Sequence, residues 1–260
     1  MTIPDAKVSL KGRKALVVGI ANEHSIAWGC ARSLRALGAD VAVTYRRERT
    51  RSLVEPLAAE LESPIVMPLD VSQPGQMEAV FERIAEEWGR LDTVVHSIAF
   101  SPKDALCNRV VEVRRDDFVT TLDVSCWSFV RMAHLAEPLM TQGGTLFTMS
   151  YHGSQRVVDN YKLIGVAKAA LEAAVRYMAA ELGPKGIRVY AISPAPLVTR
   201  AALGLPQFEE LLARTKEKAP IRARISIDDV GAATAFLALD AARLITGETI
   251  YIDGGYHIIA

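Results

Sequence analysis

Net charge is missing from this sequence: 30 basic residues are matched by 30 acidic ones, so the formal charge at pH 7 is zero. That balance gives no global electrostatic pull toward nucleic acid or an acidic membrane surface. Cysteine is scarce. The three present, Cys30, Cys107 and Cys126, are odd in number and lack metal-ligand spacing, which suits a reducing cytoplasm. His24, His134 and His257 have no partners at ligand spacing either, so no metal is expected. No apolar run is long enough to span a bilayer. Residues 1–8, with Pro4, Asp5 and Lys7, carry no apolar signal core. Internal repeats, low-complexity tracts and linkers are absent too. What remains is 260 residues, half of them apolar. That is enough for a sizeable core, and the expectation is one large α/β domain, 1–260.

Short apolar runs alternate with helical patterns along the whole chain. Strands are expected at Lys14–Gly19, Val41–Tyr45, Pro64–Leu69, Asp92–Ser97, Gly144–Ser150, Ile187–Ile192 and Thr249–Ile252. Helices are expected at Ser25–Leu37, Thr50–Glu62, Gly75–Trp88, Asp116–Met140, Asn160–Leu182, Phe208–Lys218 and Ile227–Leu239. Strict alternation implies a Rossmann-like, doubly wound parallel sheet of about seven strands with helices on both faces. Ligands of such sheets bind at the carboxyl ends of the strands, near the point where strand order reverses. Gly19, Asp70, Ser97, Tyr151 and Ser193 all fall at such ends.

The turn Gly19-Ile-Ala21-Asn-Glu-His-Ser25-Ile26-Ala-Trp-Gly29 is not G-x-G-x-x-G. It still puts glycine at a strand end and Ser25 at a helix start, where backbone N–H groups and the helix dipole suit a pyrophosphate. A plain N-cap at Ser25 is the competing account. The second strand ends without an acid and runs into Arg46 and Arg47. These could grip a 2′-phosphate, which favours NADPH over NADH, unless they form only a solvated basic loop. Asp70 and Val71 are placed to meet the adenine, although Asp70 also reads as a turn acid. Ser97, Ile98 and Ala99 are placed to line the adenosine ribose.

Tyr161 stands seven residues before Lys168, so in one helix the two share a face. An ammonium favours negative charge nearby, and a phenol can donate to an oxyanion. A half-buried Tyr and a snorkelling Lys would give the same pattern without chemistry.

The turn ending Ser25-Ile26-Ala27-Trp28-Gly29, the run His96-Ser97-Ile98-Ala99-Phe100, and Tyr151…Tyr161-x6-Lys168 together resemble the bacterial enoyl-acyl-carrier-protein reductases. These are a divergent branch of the short-chain dehydrogenase/reductases. Ordinary members of that larger family carry Tyr-x3-Lys, whereas Ile164 occupies that position here. The resemblance covers nearly the whole chain. It implies hydride transfer to the β-carbon of a trans-2-enoyl thioester of type II fatty-acid synthesis, carried on acyl carrier protein or CoA. Tyr161 would stabilise the enolate, Lys168 would hold the nicotinamide ribose, and Tyr151 would border the acyl pocket. Pro196, Leu197 and Thr199 would contact the nicotinamide. Phe100, Ile164, Ala201 and Phe208 would line the substrate pocket under a lid near residues 193–215. The apolar C-terminus would pack in a homotetramer.

Departures cluster near that pocket: Ala195 for glycine, Val198 for arginine, Arg200 for leucine, Ile164 for methionine, and His152-Gly153-Ser154-Gln155 for Leu-Gly-Ala/Gly-Glu. Either acyl selectivity is altered or a surface loop has drifted. Two alternatives stay open: a paralogous reductase acting on another carbonyl or enone, and a non-catalytic dinucleotide-binding regulator.

Overall fold

The computed structural model describes residues 8–199 and 208–259. Arg200 and Ala201, and with them the middle of the expected lid, lie outside the described residues. In chain order the main elements are β1 Lys14–Val18, α1 Ile26–Ala36, β2 Asp40–Tyr45, α2 Glu48–Glu60, β3 Val66–Pro68, α3 Gln76–Trp88, β4 Thr93–His96, α4 Lys103–Cys107, α5 Arg115–Leu122 and α6 Ser128–Ala136. They continue with β5 Gly144–Met149, α7 Lys162–Leu182, β6 Ile187–Pro194, α8 Phe208–Lys218, α9 Ile227–Ala238, β7 Thr249–Ile252 and α10 Tyr256–Ile259.

The strands form one seven-stranded sheet in the order β3-β2-β1-β4-β5-β6-β7, and every pairing is parallel. Strand order reverses between β1 and β4, which opens a crevice at their carboxyl ends.

Successive residues of a strand point to opposite faces, so each continuous apolar run feeds two cores. Val17, Val95 and Phe147 join Cys30 and Leu34 of α1, Val54 of α2 and Val230 of α9 on one face. Leu16, Val94 and Leu146 join Ile84 of α3, Met132 of α6 and Leu171 of α7 on the other. Burying each such side chain contributes about 1.5–3 kcal/mol.

Most expected boundaries move by a residue or two, and three differences stand out, two of them at the site. β3 shrinks to three residues at the sheet edge, where it pairs only with β2. The long helix expected over 116–140 is interrupted by a π-helical turn, Asp123–Trp127. There the Ser125 hydroxyl accepts from the Phe100 N–H at 3.0 Å and donates to its carbonyl at 2.9 Å. Such turns widen a helix locally and recur at functional sites. Helix α7 begins at Lys162, so Tyr161 is its N-cap rather than an interior residue. Its flanking residues Asn160 and Lys162 have φ of 61° and 43°. That left-handed backbone is costly for residues other than glycine and prevents the helix from starting earlier.

Candidate active site

A cavity of about 410 Å³ lies along the carboxyl ends of β1, β2, β3, β4 and β5. Gly19, Ala21, Ser25 and Ile26 line its floor, Arg46, Asp70 and Val71 one end, Ser97, Ile98, Ala99 and Phe100 its wall, and Ser150, Lys168 and Thr199 the other end.

Gly19 carries φ of 110°, and a Cβ there would sit 2.1 Å from the Ser97 carbonyl oxygen. Any side chain would therefore push β1 and β4 apart at the crevice. Ser25 is the N-cap residue of α1, but its side chain makes no capping bond to the helix. Its hydroxyl accepts from the backbone of Ala21 at 3.0 Å and Asn22 at 3.1 Å, folding the turn back on itself. No side chain caps α1, so its first N–H groups remain available at the cavity floor. An anion fits such an end.

At the far end, Arg46 Nε donates to Asp70 Oδ2 at 2.9 Å, and the guanidinium lies 5.7 Å from the Phe100 ring centroid. Burial works against the Asp70 charge, but donation from Ser72 and Arg46 outweighs it and holds the carboxyl below the usual range. Arg47 precedes α2, is exposed, and is not among the residues lining the cavity. Phe100, expected to line the substrate pocket, lines the wall of this cavity beside Arg46.

Lys168, on α7, is 4% exposed, and its Nζ donates to the carbonyl of Met149, the last residue of β5, at 2.6 Å. Burial pulls its pKa down to about 8, against the attraction of Cys126 and Glu172. Relative to the ordinary value the net bias is about 3 kcal/mol, so burial wins. Two residues past Met149, the Tyr151 ring meets the Tyr161 ring edge-on at 5.0 Å. Its hydroxyl is buried and has no hydrogen-bond partner among the described residues. Burial raises the pKa of both phenols, Tyr151 and Tyr161, so both stay protonated and able to donate. A buried donor without an acceptor is costly and marks where a ligand oxygen fits.

Ile164 is buried in the first turn of α7, and Phe208 is buried at the start of α8. Pro196 and Leu197 line a second cavity, about 580 Å³, between the loop after β6 and α8. They do not line the first.

Sequence reasoning passed over three groups. His96 is wholly buried between Thr148 and Ser128 at 2.9 and 2.8 Å, and burial, then Lys168, drives its pKa down to about 3. Thr121 and Ser125 pin the segment after β4. Glu172 accepts three side-chain hydrogen bonds beneath Tyr151. A lone acid on the buried face of an Ala-rich helix, one turn after Lys168, was the available signal.

Comparison with known proteins follows the same outline. The model of the family described as "Enoyl-(Acyl carrier protein) reductase" matches residues 19–257. The chain belongs to this family. Enoyl-[acyl-carrier-protein] reductase [NADH] 2 of Rhizobium meliloti is 46% identical over 249 residues, covering 96% of this chain and 93% of that protein. The Anaplasma phagocytophilum reductase, solved in complex with NAD, superposes with a TM-score of 0.92 at 44% identity, covering 96% of both chains. The Bacillus cereus reductase, solved with NADP+ and indole naphthyridinone, gives 0.94 at 43%, covering 96% of this chain and 98% of that one. The cavity runs from Asp70 and Val71 at one end to Lys168 and Thr199 at the other.

Proposed function

We propose that this enzyme reduces the trans-2 double bond of an enoyl thioester carried on acyl carrier protein, with a nicotinamide dinucleotide as reductant. One observation supports the reading: Lys168 lines one end of the cavity and holds the last carbonyl of β5, and the paired rings of Tyr151 and Tyr161 stand just past that strand end. The bound nicotinamide supplies the hydride to the substrate β-carbon.

The protein supplies placement and field. The open end of α1 and the Gly19–Ser25 turn would hold the pyrophosphate. Asp70 and Val71 would meet the adenine, and Ser97 to Ala99 the adenosine ribose. Lys168 would hold the nicotinamide ribose and keep the local field positive. Thr199, which lines the cavity, would bound the nicotinamide, with Pro196 and Leu197 behind it on the side of the neighbouring cavity. Tyr161 would donate to the thioester oxygen as negative charge develops there. Tyr151, with its unpartnered hydroxyl, would border the same oxygen, and Ile164 and Phe208 would line the acyl side.

The test is cofactor oxidation with trans-2-enoyl thioesters of several chain lengths, on acyl carrier protein and on CoA. Turnover of ketones or enones alone would overturn the substrate assignment, and binding without any turnover would overturn catalysis.

NADH is the reductant we assign, in line with the NADH-named relatives. The case for NADPH rests on Arg46 and Arg47; the first is already bonded to Asp70 and the second stands off the cavity. Arg46→Ala measures what phosphate grip exists. Loss of a charge-assisted bond would weaken NADPH about tenfold more than NADH. Equal weakening of both dissociation constants removes Arg46 from any phosphate role.

Lys168 sets a pH prediction. Its folded pKa, about 8, lies below the ordinary lysine value of 10.5. Above about pH 8 the folded protein sheds a proton that the unfolded chain keeps up to its own pKa. Stability therefore rises with pH through that window. Activity that needs the charged amine falls over the same range. Rate profiles and thermal midpoints recorded on one pH series should move in opposite directions; a parallel fall would trace the rate loss to unfolding instead.

A homotetramer and a cytoplasmic setting complete the proposal. Trp127 of the π-helical turn and Tyr177 of α7 are exposed, as are Ile258 and Ile259 of α10, and such apolar groups suit association. All three cysteines are free. No helix among the described residues is long and apolar enough to cross a membrane.

A further inference from the structure

We infer that Glu172 is a positioning residue of this site: its buried carboxylate clamps the turn that carries Tyr151 and supports the charge of Lys168 one helical turn away. The inference rests on the function proposed above for Tyr151 and Lys168.

Glu172 is 3% exposed on α7. One oxygen accepts from the Ser150 hydroxyl at 2.5 Å and from the Ser154 hydroxyl at 2.6 Å; the other accepts from the Gln155 amide at 3.3 Å. These three donors bracket Tyr151 in the chain. Between them the backbone makes a 3-10 turn, His152–Ser154, closed by the Ser154 N–H on the Tyr151 carbonyl at 2.9 Å. The Tyr151 hydroxyl has no bond of its own to hold the ring. The ring is therefore placed by its backbone and by edge contacts with His152 and Tyr161, and the backbone is placed by Glu172.

An isolated carboxylate this deep would cost several kcal/mol, and removing its partners leaves it exposed to that penalty. An apolar residue would fill the space at lower risk. What the acid adds is three directional bonds to one short segment and a negative charge four residues from Lys168, on the same helix face. The charged or titratable groups facing Lys168 are Cys126 from the π-helical turn, His96 from β4, and Glu172 itself. Cys126 is half-buried with its thiol pushed up by burial, and His96 is held neutral by burial. Glu172 is thus the one carboxylate among them.

Glu172→Gln keeps the size and two of the bonds but removes the charge. With enoyl thioester and NADH, kcat should fall about tenfold with little change in KM for NADH, the mark of an interaction that matters in the transition state. The alkaline limb of the rate profile should move to lower pH, because the carboxylate charge favouring protonated Lys168 is gone. A residue that only packs would lower the thermal midpoint and leave the limb in place.

Carbon NMR of labelled lysines, with Lys168 assigned from Lys168→Met, reads the same shift without turnover. An inactive wild type would overturn the proposed function, while this titration would still decide whether Glu172 supports the charge of Lys168. If Glu172→Gln does not fold, Ser154→Ala removes one grip from outside the helix. It should lower kcat about threefold with NADH binding intact. An unmoved Lys168 titration in Glu172→Gln, or an unchanged kcat in Ser154→Ala, overturns the inference.

Discussion

Tyr161→Phe should lower kcat for enoyl thioester reduction about 10²–10³-fold, the loss typical of removing one donor to a developing oxyanion. NADH binding should change little, because the hydroxyl is assigned to the substrate and not to the cofactor. The substitution keeps the ring, and the ring is what packs: it meets Tyr151 at 5.0 Å and lies over Gly153. Folding should therefore survive, and the thermal midpoint should stay within a few degrees. The phenol is protonated at any working pH, since burial, then Tyr151 and Glu172, raise its pKa. A proton-donating role thus does not depend on titration near neutrality. If the phenylalanine variant turned over enoyl thioester at the wild-type rate, Tyr151 would have to carry the oxyanion alone. Its orphaned hydroxyl gives that outcome a physical meaning.

Much of this was legible before any coordinates. Continuous apolar runs such as Lys14–Val18 and Gly144–Met149 read as buried parallel strands because both of their faces are covered. Once the strands were placed, Gly19, Asp70, Ser97 and Tyr151 had to converge, because the topology puts all carboxyl ends on one side. Three-dimensional direction was not legible. Phe100 follows β4 in the chain, but Ser125 fixes its backbone and its ring turns to Arg46. Tyr161 reads as helical by spacing, yet left-handed backbone at Asn160 and Lys162 delays the helix and leaves the tyrosine at its cap. Pattern reasoning assumes regular geometry, and strained residues at a site break that assumption. Glu172 escaped for a different reason. Its function lies in contacts with a segment about 20 residues earlier, and a single sequence carries no record of such pairs.

Gly153→Ala should cost about 10² in kcat, although it adds only one methyl group. Gly153 has no positive φ, so its backbone accepts alanine. The obstacle is its surroundings. A Cβ there would stand 2.5 Å from Cδ1 and 2.9 Å from Cε1 of Tyr161, and 3.3 Å from Cδ1 of Tyr151. Real Cβ contacts do not come so close, so the Tyr161 ring must move. Displacing a reacting group by about 1 Å is enough to lose 10²-fold in rate. Overpacking of this kind also costs about 1–3 kcal/mol of stability, too little on its own to unfold an ordinary domain. The rate loss should therefore exceed any loss of folded protein. A double-mutant cycle with Tyr161→Phe separates the two routes. If Gly153 acts by seating the Tyr161 hydroxyl, then adding Gly153→Ala to Tyr161→Phe should lower kcat little further. Fully additive losses would mean that the methyl group damages the site by another path, through Tyr151 or the turn that Glu172 holds.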